Sequence, residues 1–384
     1  MKKITCFVLV FVMLIFKGIN VNAEGLNVTS RSAVLMEAKT GNVIYEKNPH
    51  EQLSPASITK IMTLVLIFEA LDEERISLTD QVTTSAYASS MGGSQVFLAE
   101  GEVQSVETMI KCIVISSAND ASVAMAELIA GSETAFVNKM NEKAAQLGMI
   151  NTNFEDCSGL TSSDNHYTSA YDVALMSREL ITHYPEVLNY TKIWMEDITH
   201  VTPKGSSKFT LSSTNKMLKQ YPYATGLKTG STSKAKFCFS GTAQKNGIDM
   251  ISVVMGASDP KIRFTEARNM LEYGYSISKL FVDDNLDALE KMKISGSIQD
   301  KFSVGYKGAF EFLDTEKRDL SSIKKEISMH NNIKAPVKKG DKVGEARYYL
   351  DGELIGAVPI VSLEDVKRSG YGDFFTFLIK EFLF

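Results

Sequence analysis

A long apolar segment that follows a serine-proline pair is the feature that most constrains how this chain folds. Residues 58–71 are predominantly apolar, which is long enough for several buried helical turns. Ser54 is of a type that caps helix N-termini, and Pro55 suits the first helical position. The pattern predicts a helix that begins at this pair and runs through the core.

The first residues have the layout of a secretion signal. Two lysines precede an apolar run over residues 4–16, and a short stretch of small and polar residues ends at Ala23. This predicts a signal peptide over 1–23 and a protein exported to the outer face of the cytoplasmic membrane. The alternative is an uncleaved anchor, although a membrane span needs about 20 apolar residues.

Composition narrows the class of protein further. A chain of 384 residues suggests two domains, and a net charge of -5 gives no indication of nucleic-acid binding. Outside the signal, the cysteines are Cys112, Cys157 and Cys238, an odd number that cannot all pair internally. No cysteine or histidine cluster has metal-ligand spacing. We expect buried thiols, no metal and no cofactor.

The order of predicted elements indicates an α+β fold. A hairpin (33–37 and 43–46) precedes the helix from Pro55, helices within 105–150 that end near Gly131 and Gly148, and a helix over 168–183. Strands at 209–211, 237–243 and 250–255 and a helix over 261–279 follow. This order predicts a domain over 24–280 with helices packed on an antiparallel sheet. A lysine-rich, strand-like region over 281–361 predicts a small all-β domain.

The C-terminal segment 362–384 is predicted to be amphipathic. Its last residues, 373–384, are rich in phenylalanine and leucine and, as a helix, would extend only about 18 Å. A bilayer core is about 30 Å thick, so this segment cannot span it. It could lie in the membrane interface with Lys380 and Glu381 toward water. The alternative is a helix packed on the β domain.

Three short motifs carry the chemistry. Ser57 and Lys60 fall one helical turn apart, so a lysine with a lowered pKa could take the serine proton, while the Ser57 N–H could stabilise an oxyanion. Ser117 could relay a proton and Asn119 could hold a carbonyl, although this pair could equally cap the next helix. Singly, each motif is weak.

The third motif, Lys228-Thr229-Gly230-Ser231, is predicted to lie on an edge strand. Lys228 and Thr229 offer a positive charge and a hydroxyl to a carboxylate, Gly230 permits close approach of a substrate backbone, and the Ser231 N–H could be a second oxyanion donor. A second copy of the tripeptide, residues 39–41, lies at a hairpin turn and is interpreted as structural.

In this order the motifs resemble those of the penicillin-recognising serine enzymes. Within them the chain is similar to the low-molecular-mass penicillin-binding proteins that act as D-alanyl-D-alanine carboxypeptidases. The segments 54–63, 116–121, 166–172 and Arg263-Phe264 extend the resemblance. It implies a β-lactamase/transpeptidase-like fold, a peptidoglycan stem peptide ending in D-Ala-D-Ala as substrate, and β-lactams as acylating inhibitors.

The resemblance also implies a role for each residue. Ser57 is the acyl nucleophile, Lys60 the general base, Ser117 the proton relay to the leaving D-alanine, and Asn119 an orienting group. Lys228, Thr229, Gly230 and Ser231 bind substrate, and Arg263 binds its carboxylate or forms a salt bridge at a helix start. His166 is interpreted as structural. Three positions in or next to the motifs differ from the residues that are usual in the family: Ala118, Thr225 and Ser231.

Other functions use the same groups. A β-lactamase needs a glutamate that holds a deacylating water, and no residue, Glu155 included, has a clear claim to that role. An endopeptidase acting on cross-linked peptides is a second alternative. A catalytically silent β-lactam or cell-wall sensor is a third, but it would have no need for Ser57, Lys60 and Lys228 together.

Overall fold

The structure is a computed structural model that describes residues 26–202, 205–373, 375, 376 and 379. The predicted signal peptide 1–23 lies outside the described residues, as does most of the segment 373–384. The helices are α1 (Lys60–Asp72), α2 (Ala86–Ser89), α3 (Val106–Ile115), α4 (Asn119–Ala130), α5 (Glu133–Gln146), α6 (Ala170–His183), α7 (Leu188–Thr191), α8 (Met217–Gln220) and α9 (Ile262–Ile277).

The strands of the first part of the chain are β1 (Ser32–Glu37), β2 (Val43–Lys47), β3 (Gln81–Thr83), β4 (Val103–Ser105), β5 (Met195–Thr202), β6 (Gly205–Ser212), β7 (Ala224–Thr232), β8 (Lys236–Lys245) and β9 (Ile248–Ala257). Those that follow α9 are β10 (Lys279–Asp283), β11 (Met292–Lys293), β12 (Lys301–Phe302), β13 (Val304–Tyr306), β14 (Phe310–Asp314), β15 (Lys324–Met329), β16 (Lys342–Leu350) and β17 (Glu353–Ser362). Short 3-10 turns lie at Ala56–Thr59, Pro185–Val187 and Leu320–Ser322.

A central antiparallel sheet separates two hydrophobic cores. Its strand order is β2-β1-β9-β8-β7, so β7 lies at an edge. Because strand side chains alternate between faces, Val34 and Met36 join the core under α1, α4 and α6, whereas Leu35 joins the core under α9. The predicted α+β class, with helices packed on an antiparallel sheet, is confirmed.

Several predicted boundaries agree with the structure. The 33–37 and 43–46 hairpin is β1 and β2, and the turn between β8 and β9 places Asn246 and Gly247 at φ values of 54° and 75°. Gly131 and Gly148 follow α4 and α5 with φ values of 78° and 73°, which glycine adopts without a steric penalty. Strand β5 was not predicted, because its pairing with β6 depends on a partner strand rather than on a strong local pattern.

The strands after α9 form small sheets of their own. Four of them form an antiparallel sheet in the order β13-β17-β16-β15, and β10 pairs with β14. Two small apolar clusters, centred on Phe302 and Tyr348, fill their interior. Among the described residues, no helix combines the length and apolarity that crossing a bilayer requires.

Candidate active site

The chain enters α1 through a 3-10 turn rather than through an α-helical first turn. The turn spans Ala56–Thr59, is preceded by Pro55, and has no side chain capping it, so the predicted Ser54 cap is wrong. Ala56 adopts a φ of 48°, outside the helical region. The Thr59 hydroxyl stabilises the turn from within, since it donates to the Ala56 carbonyl at 2.8 Å. Ser57 therefore lies on a tight, fixed turn.

Two glycines allow neighbouring backbone to pack against this turn. A Cβ at Gly230, on the edge strand β7, would lie 2.7 Å from the Pro55 carbonyl oxygen and 3.0 Å from the Ile58 nitrogen. A Cβ at Gly159 would lie 1.8 Å from the Ala56 carbonyl oxygen. Side chains cannot occupy these spaces. Gly230 is thus required for packing β7 on the turn that carries Ser57, a reason that the sequence did not reveal.

Lys60 lies directly beneath the candidate nucleophile. Its amine is 3.2 Å from the Ser57 hydroxyl, 2.6 Å from the Asn119 side-chain oxygen and 2.8 Å from the Ser158 carbonyl oxygen. The side chain is 0% exposed. Three acceptors thus surround an amine that has three donors when protonated, which fixes its position.

Burial makes the Lys60 amine less basic than the amine of a free lysine. Loss of hydration lowers the pKa of Lys60 to about 8, although the nearby Cys157, Asp156 and Asp120 oppose the shift. The pKa of an ordinary lysine is about 10.4, so at neutral pH a far larger fraction of Lys60 is uncharged than of an exposed lysine. An uncharged amine beside a serine can accept its proton.

Ser117 and Lys228 form the second half of the site. The Lys228 amine donates to the Ser117 hydroxyl at 2.8 Å and to the Thr229 carbonyl at 3.1 Å. Ser117 has a φ of 61°, and α4 begins at Asn119 with Ala118 at its N-cap and no side-chain cap. The alternative, in which Ser117 or Asn119 caps the next helix with its side chain, is therefore wrong.

The two lysines are close enough to affect each other. Burial lowers the pKa of Lys228 well below its usual value, and the positive charges of Lys60 and Arg263 lower it further. Two cations in one buried space are unfavourable unless one loses its proton. The site therefore favours a state with at least one neutral amine.

Asn119 is fixed on both sides of its amide. Its nitrogen donates to the Gly92 carbonyl at 2.7 Å while its oxygen accepts from Lys60. The neighbouring Asp120 is fully buried, and its carboxylate accepts from the backbone N–H of Val96 and of Leu98. The loop that covers Asn119 is thereby held at the start of α4. Sequence analysis did not identify Asp120, because an acidic residue in a first helical turn is ordinary.

The chain matches known proteins over both of its parts. Residues 19–259 match the family described as D-alanyl-D-alanine carboxypeptidase, and residues 278–368 match penicillin-binding protein 5, C-terminal domain. D-alanyl-D-alanine carboxypeptidase DacF of Bacillus subtilis is 43% identical over 91% of this chain and 88% of its own length. DacC of Escherichia coli is 30% identical over 94% and 90%.

The chain belongs to the D-alanyl-D-alanine carboxypeptidase family. Its fold agrees, since penicillin binding protein 5 from Haemophilus influenzae superposes with a TM-score of 0.70 at 28% identity, covering 89% of this chain and 98% of that one. The resemblance stated from the motifs is confirmed. The chain is a serine-type carboxypeptidase of the penicillin-binding class, and acylation by β-lactams follows from that membership.

Arg263 of this carboxypeptidase contacts backbone rather than an acidic side chain. Its guanidinium donates to the carbonyl oxygens of Gly230 at 3.0 Å and of Cys238 at 3.2 Å, and it lies over the Phe264 ring at 4.8 Å. No ion pair involves it in the described part of the chain. The salt-bridge alternative is therefore wrong, and Arg263 connects β7 to β8 behind the motif.

His166 is structural in this carboxypeptidase, as the sequence analysis interpreted it. The ring is buried, Nδ1 accepts from the Glu155 N–H at 3.0 Å, and Nε2 lies 2.8 Å from the Thr59 hydroxyl. Since Nδ1 accepts and Thr59 donates elsewhere, the ring is neutral with its proton on Nε2. Burial lowers the pKa of His166, which agrees with this state.

The second lysine-threonine-glycine copy is also structural. It lies in the turn after β1, where the Glu37 carboxylate accepts from the backbone N–H of Thr40 at 2.7 Å. Arg178 donates to the carbonyls of Ala38 at 2.7 Å and Lys39 at 2.9 Å. The turn is thus fixed by its own contacts.

Sequence analysis missed the loop that supplies the third contact of Lys60. The Asp156 carboxylate accepts from the N–H groups of Ser158 at 2.8 Å and Thr161 at 2.6 Å, which holds the Ser158 carbonyl under Lys60. Aspartate followed three residues later by glycine is a turn signal. It gave no indication that this turn lies beside α1. The predicted thiols Cys112, Cys157 and Cys238 are free and buried, as expected.

Proposed function

We propose that Ser57 attacks the carbonyl carbon between the two terminal D-alanines of a peptidoglycan stem peptide. The observation that supports this most directly is the buried Lys60 amine at 3.2 Å from the Ser57 hydroxyl. When this amine is neutral it has two donors and one lone pair. Its donors satisfy Asn119 and Ser158, so the lone pair faces Ser57 and accepts the proton as the Ser57 oxygen bonds to the carbonyl carbon.

The oxyanion that then forms on the substrate carbonyl needs hydrogen-bond donors beside the turn that carries Ser57. We assign the backbone N–H groups of Ser57 and Ser231 to this role, because Ser231 follows Gly230, the residue that packs against the Ser57 turn. Asn119, already held by Lys60 and Gly92, orients the substrate on the opposite side.

Collapse of the intermediate breaks the peptide bond and requires a proton on the leaving nitrogen. Ser117 supplies it and is reprotonated from Lys228, whose amine is 2.8 Å away. Water then attacks the acyl carbonyl and gives its proton to Lys228 through Ser117, while Ser57 leaves as it recovers its proton from Lys60, so the shortened peptide is released and both lysines return to their starting states. Lys228 and the Thr229 hydroxyl face the terminal carboxylate, and Arg263 acts from behind by holding the Gly230 carbonyl.

We further propose the organisation and location of the mature protein. Residues 24–280 form the catalytic domain, 281–361 the small β domain, and 362–384 the segment that binds the outer face of the cytoplasmic membrane after removal of 1–23. In the described part of the tail, Phe375 is 67% exposed and Ile379 is 40% exposed. Exposed apolar side chains at a chain end suit insertion into a membrane interface.

Mass spectrometry after incubation with a penicillin tests the assignment. We expect one covalent adduct on the peptide that contains Ser57, and D-alanine release from a stem pentapeptide by the untreated protein. Ser57→Ala should lose both. Ser54→Ala is the matched control, because Ser54 lies three residues away and does not cap the turn. An adduct retained in Ser57→Ala would refute the assignment, and labelling without D-alanine release would favour the sensor.

A further inference from the structure

One contact of the Thr229 hydroxyl is not used by the reaction described so far. Thr229 Oγ1 lies 2.6 Å from Oγ1 of Thr214, a residue in the segment between β6 and α8. Thr229 is 5% exposed, whereas Thr214 belongs to the exposed residues. Among the described residues, no other hydrogen bond of the Thr214 hydroxyl is found. Thr214 therefore has one polar partner, which is the hydroxyl assigned to the substrate carboxylate.

The backbone on both sides of Thr214 is fixed. The Ser213 N–H donates to the Trp194 carbonyl at 2.8 Å, and the Asn215 N–H donates to the Ser213 hydroxyl at 3.2 Å. The Asn215 side chain then accepts from the Met217 N–H at 3.1 Å, at the start of α8. Because these bonds hold the segment, the Thr214 hydroxyl is presented to β7 in one position.

The direction of the bond between the two hydroxyls decides what Thr229 can do. A hydroxyl has one proton to donate. If Thr229 donates to Thr214, no proton remains for a carboxylate. If Thr214 donates to Thr229, the Thr229 proton is free to point into the site, and each bond strengthens the other. A bound anion selects the second arrangement.

We infer that Thr214 is a positioning residue for carboxylate recognition: it donates to Thr229 and so directs the Thr229 proton to the free C-terminal carboxylate of the substrate. This inference rests on the proposed function, in which Thr229 faces that carboxylate. It adds a specificity role for a residue outside the three motifs. The preference for a peptide with a free carboxyl end then depends in part on Thr214.

Two variants separate the hydroxyl from the shape of the side chain. Thr214→Val removes the donor but keeps the branched shape, and Thr214→Ser keeps the donor. Thr210→Val is the matched control, because Thr210 is exposed on β6 and its hydroxyl bonds to Asp197 at 2.6 Å, away from β7. The substrates are one peptide ending in D-Ala-D-Ala as the free acid and as the C-terminal amide.

We expect Thr214→Val to lower kcat/KM about tenfold for the acid, mainly through KM, because a hydrogen bond to a charged group is weakened. Activity on the amide should stay within about twofold, so discrimination between acid and amide narrows. Thr214→Ser and Thr210→Val should match the parent protein. The ratio of the acylation rates by a penicillin and by its methyl ester is a second measure of the preference for a free carboxylate.

Two outcomes would overturn the inference. Equal losses of kcat/KM on the acid and the amide would mean that Thr214 only maintains the fold of the site. Unchanged kcat/KM on both substrates would mean that the hydroxyl pair has no part in recognition. Failure of the proposed function can be distinguished from failure of this inference. In the first case the unmodified protein itself would neither release D-alanine nor form the Ser57 adduct.

Discussion

The Lys60 amine donates to the side-chain oxygen of Asn119 at 2.6 Å, a bond between residues 59 positions apart. It joins the turn that carries Ser57 to the first turn of α4, and it leaves the lysine aimed at the serine. Burial of the whole side chain removes water from the amine, which is why the Lys60 pKa falls to about 8. Proton transfer from Ser57 therefore depends on two separate helices.

Acylation should respond to pH through Lys60. Because the neutral amine is the active form and its pKa is about 8, we expect the acylation rate to rise about tenfold per pH unit below that value. At higher pH the rate should fall again, because burial also lowers the pKa of Lys228, which supplies a proton to Ser117. Stopped-flow acylation by a labelled penicillin between pH 5.5 and 9.5 measures both limbs. The rising limb is the opposite of that for a reaction that needs a protonated Lys60.

Lys60→Arg should lower the acylation rate roughly 10²–10⁴-fold, because a guanidinium stays charged at all accessible pH values. Lys208→Arg, on the exposed strand β6, is the matched control and should leave the rate unchanged. A Lys60→Arg protein with normal rates would show that another group takes the serine proton.

Gly230→Ala should disturb the site through packing. The new Cβ would lie 2.7 Å from the Pro55 carbonyl oxygen, and neither backbone can move freely. We expect a loss of about 1–3 kcal/mol in the free energy of unfolding and slower acylation, measured by thermal melting and penicillin labelling. Gly308→Ala is the control, since nothing lies within 4 Å of its added Cβ. Equal melting temperatures for both variants would contradict the packing explanation.

Arg263→Leu should weaken the edge strand rather than remove a substrate ligand. It leaves the carbonyls of Gly230 and Cys238 without their donor in a buried place. We expect kcat/KM to fall about tenfold for peptides with acid and amide ends alike, measured by D-alanine or D-alaninamide release. The exposed Arg268 provides the control Arg268→Leu. A loss confined to the acid would instead indicate direct contact with the carboxylate.

Deletion of 373–384 should release the mature protein from membranes while hydrolysis of a soluble pentapeptide persists. Flotation with anionic lipid vesicles measures the association. The control replaces Lys380 and Glu381 by glutamine, which keeps the apolar residues and should keep binding, because apolar burial supplies most of the affinity. Co-flotation of the truncated protein would show that another surface binds lipid.

Local patterns were sufficient for the parts of the fold that neighbouring residues determine. Alternation and turn residues predicted β1, β2, β8 and β9, and glycines marked the ends of α4 and α5. Strand β5 and the 3-10 start before α1 escaped prediction. Strand β5 pairs with the adjacent strand β6 rather than showing a strong pattern of its own, and the 3-10 turn has no side-chain cap to mark it. The spacing of Ser57 and Lys60 still predicted their contact, because a single turn separates them whether it is 3-10 or α-helical.

Residue types and their order along the chain thus determined the family, the fold class and the chemical groups: two serines, two lysines and an asparagine in three motifs. The tertiary structure alone decided what surrounds them. Packing of β7 and the 156–161 loop on the Ser57 turn explains Gly230 and Gly159, buries Lys60, and directs Arg263 to backbone carbonyls. Burial and long-range contact change pKa values and hydrogen-bond partners, and neither is encoded in the spacing of neighbouring residues.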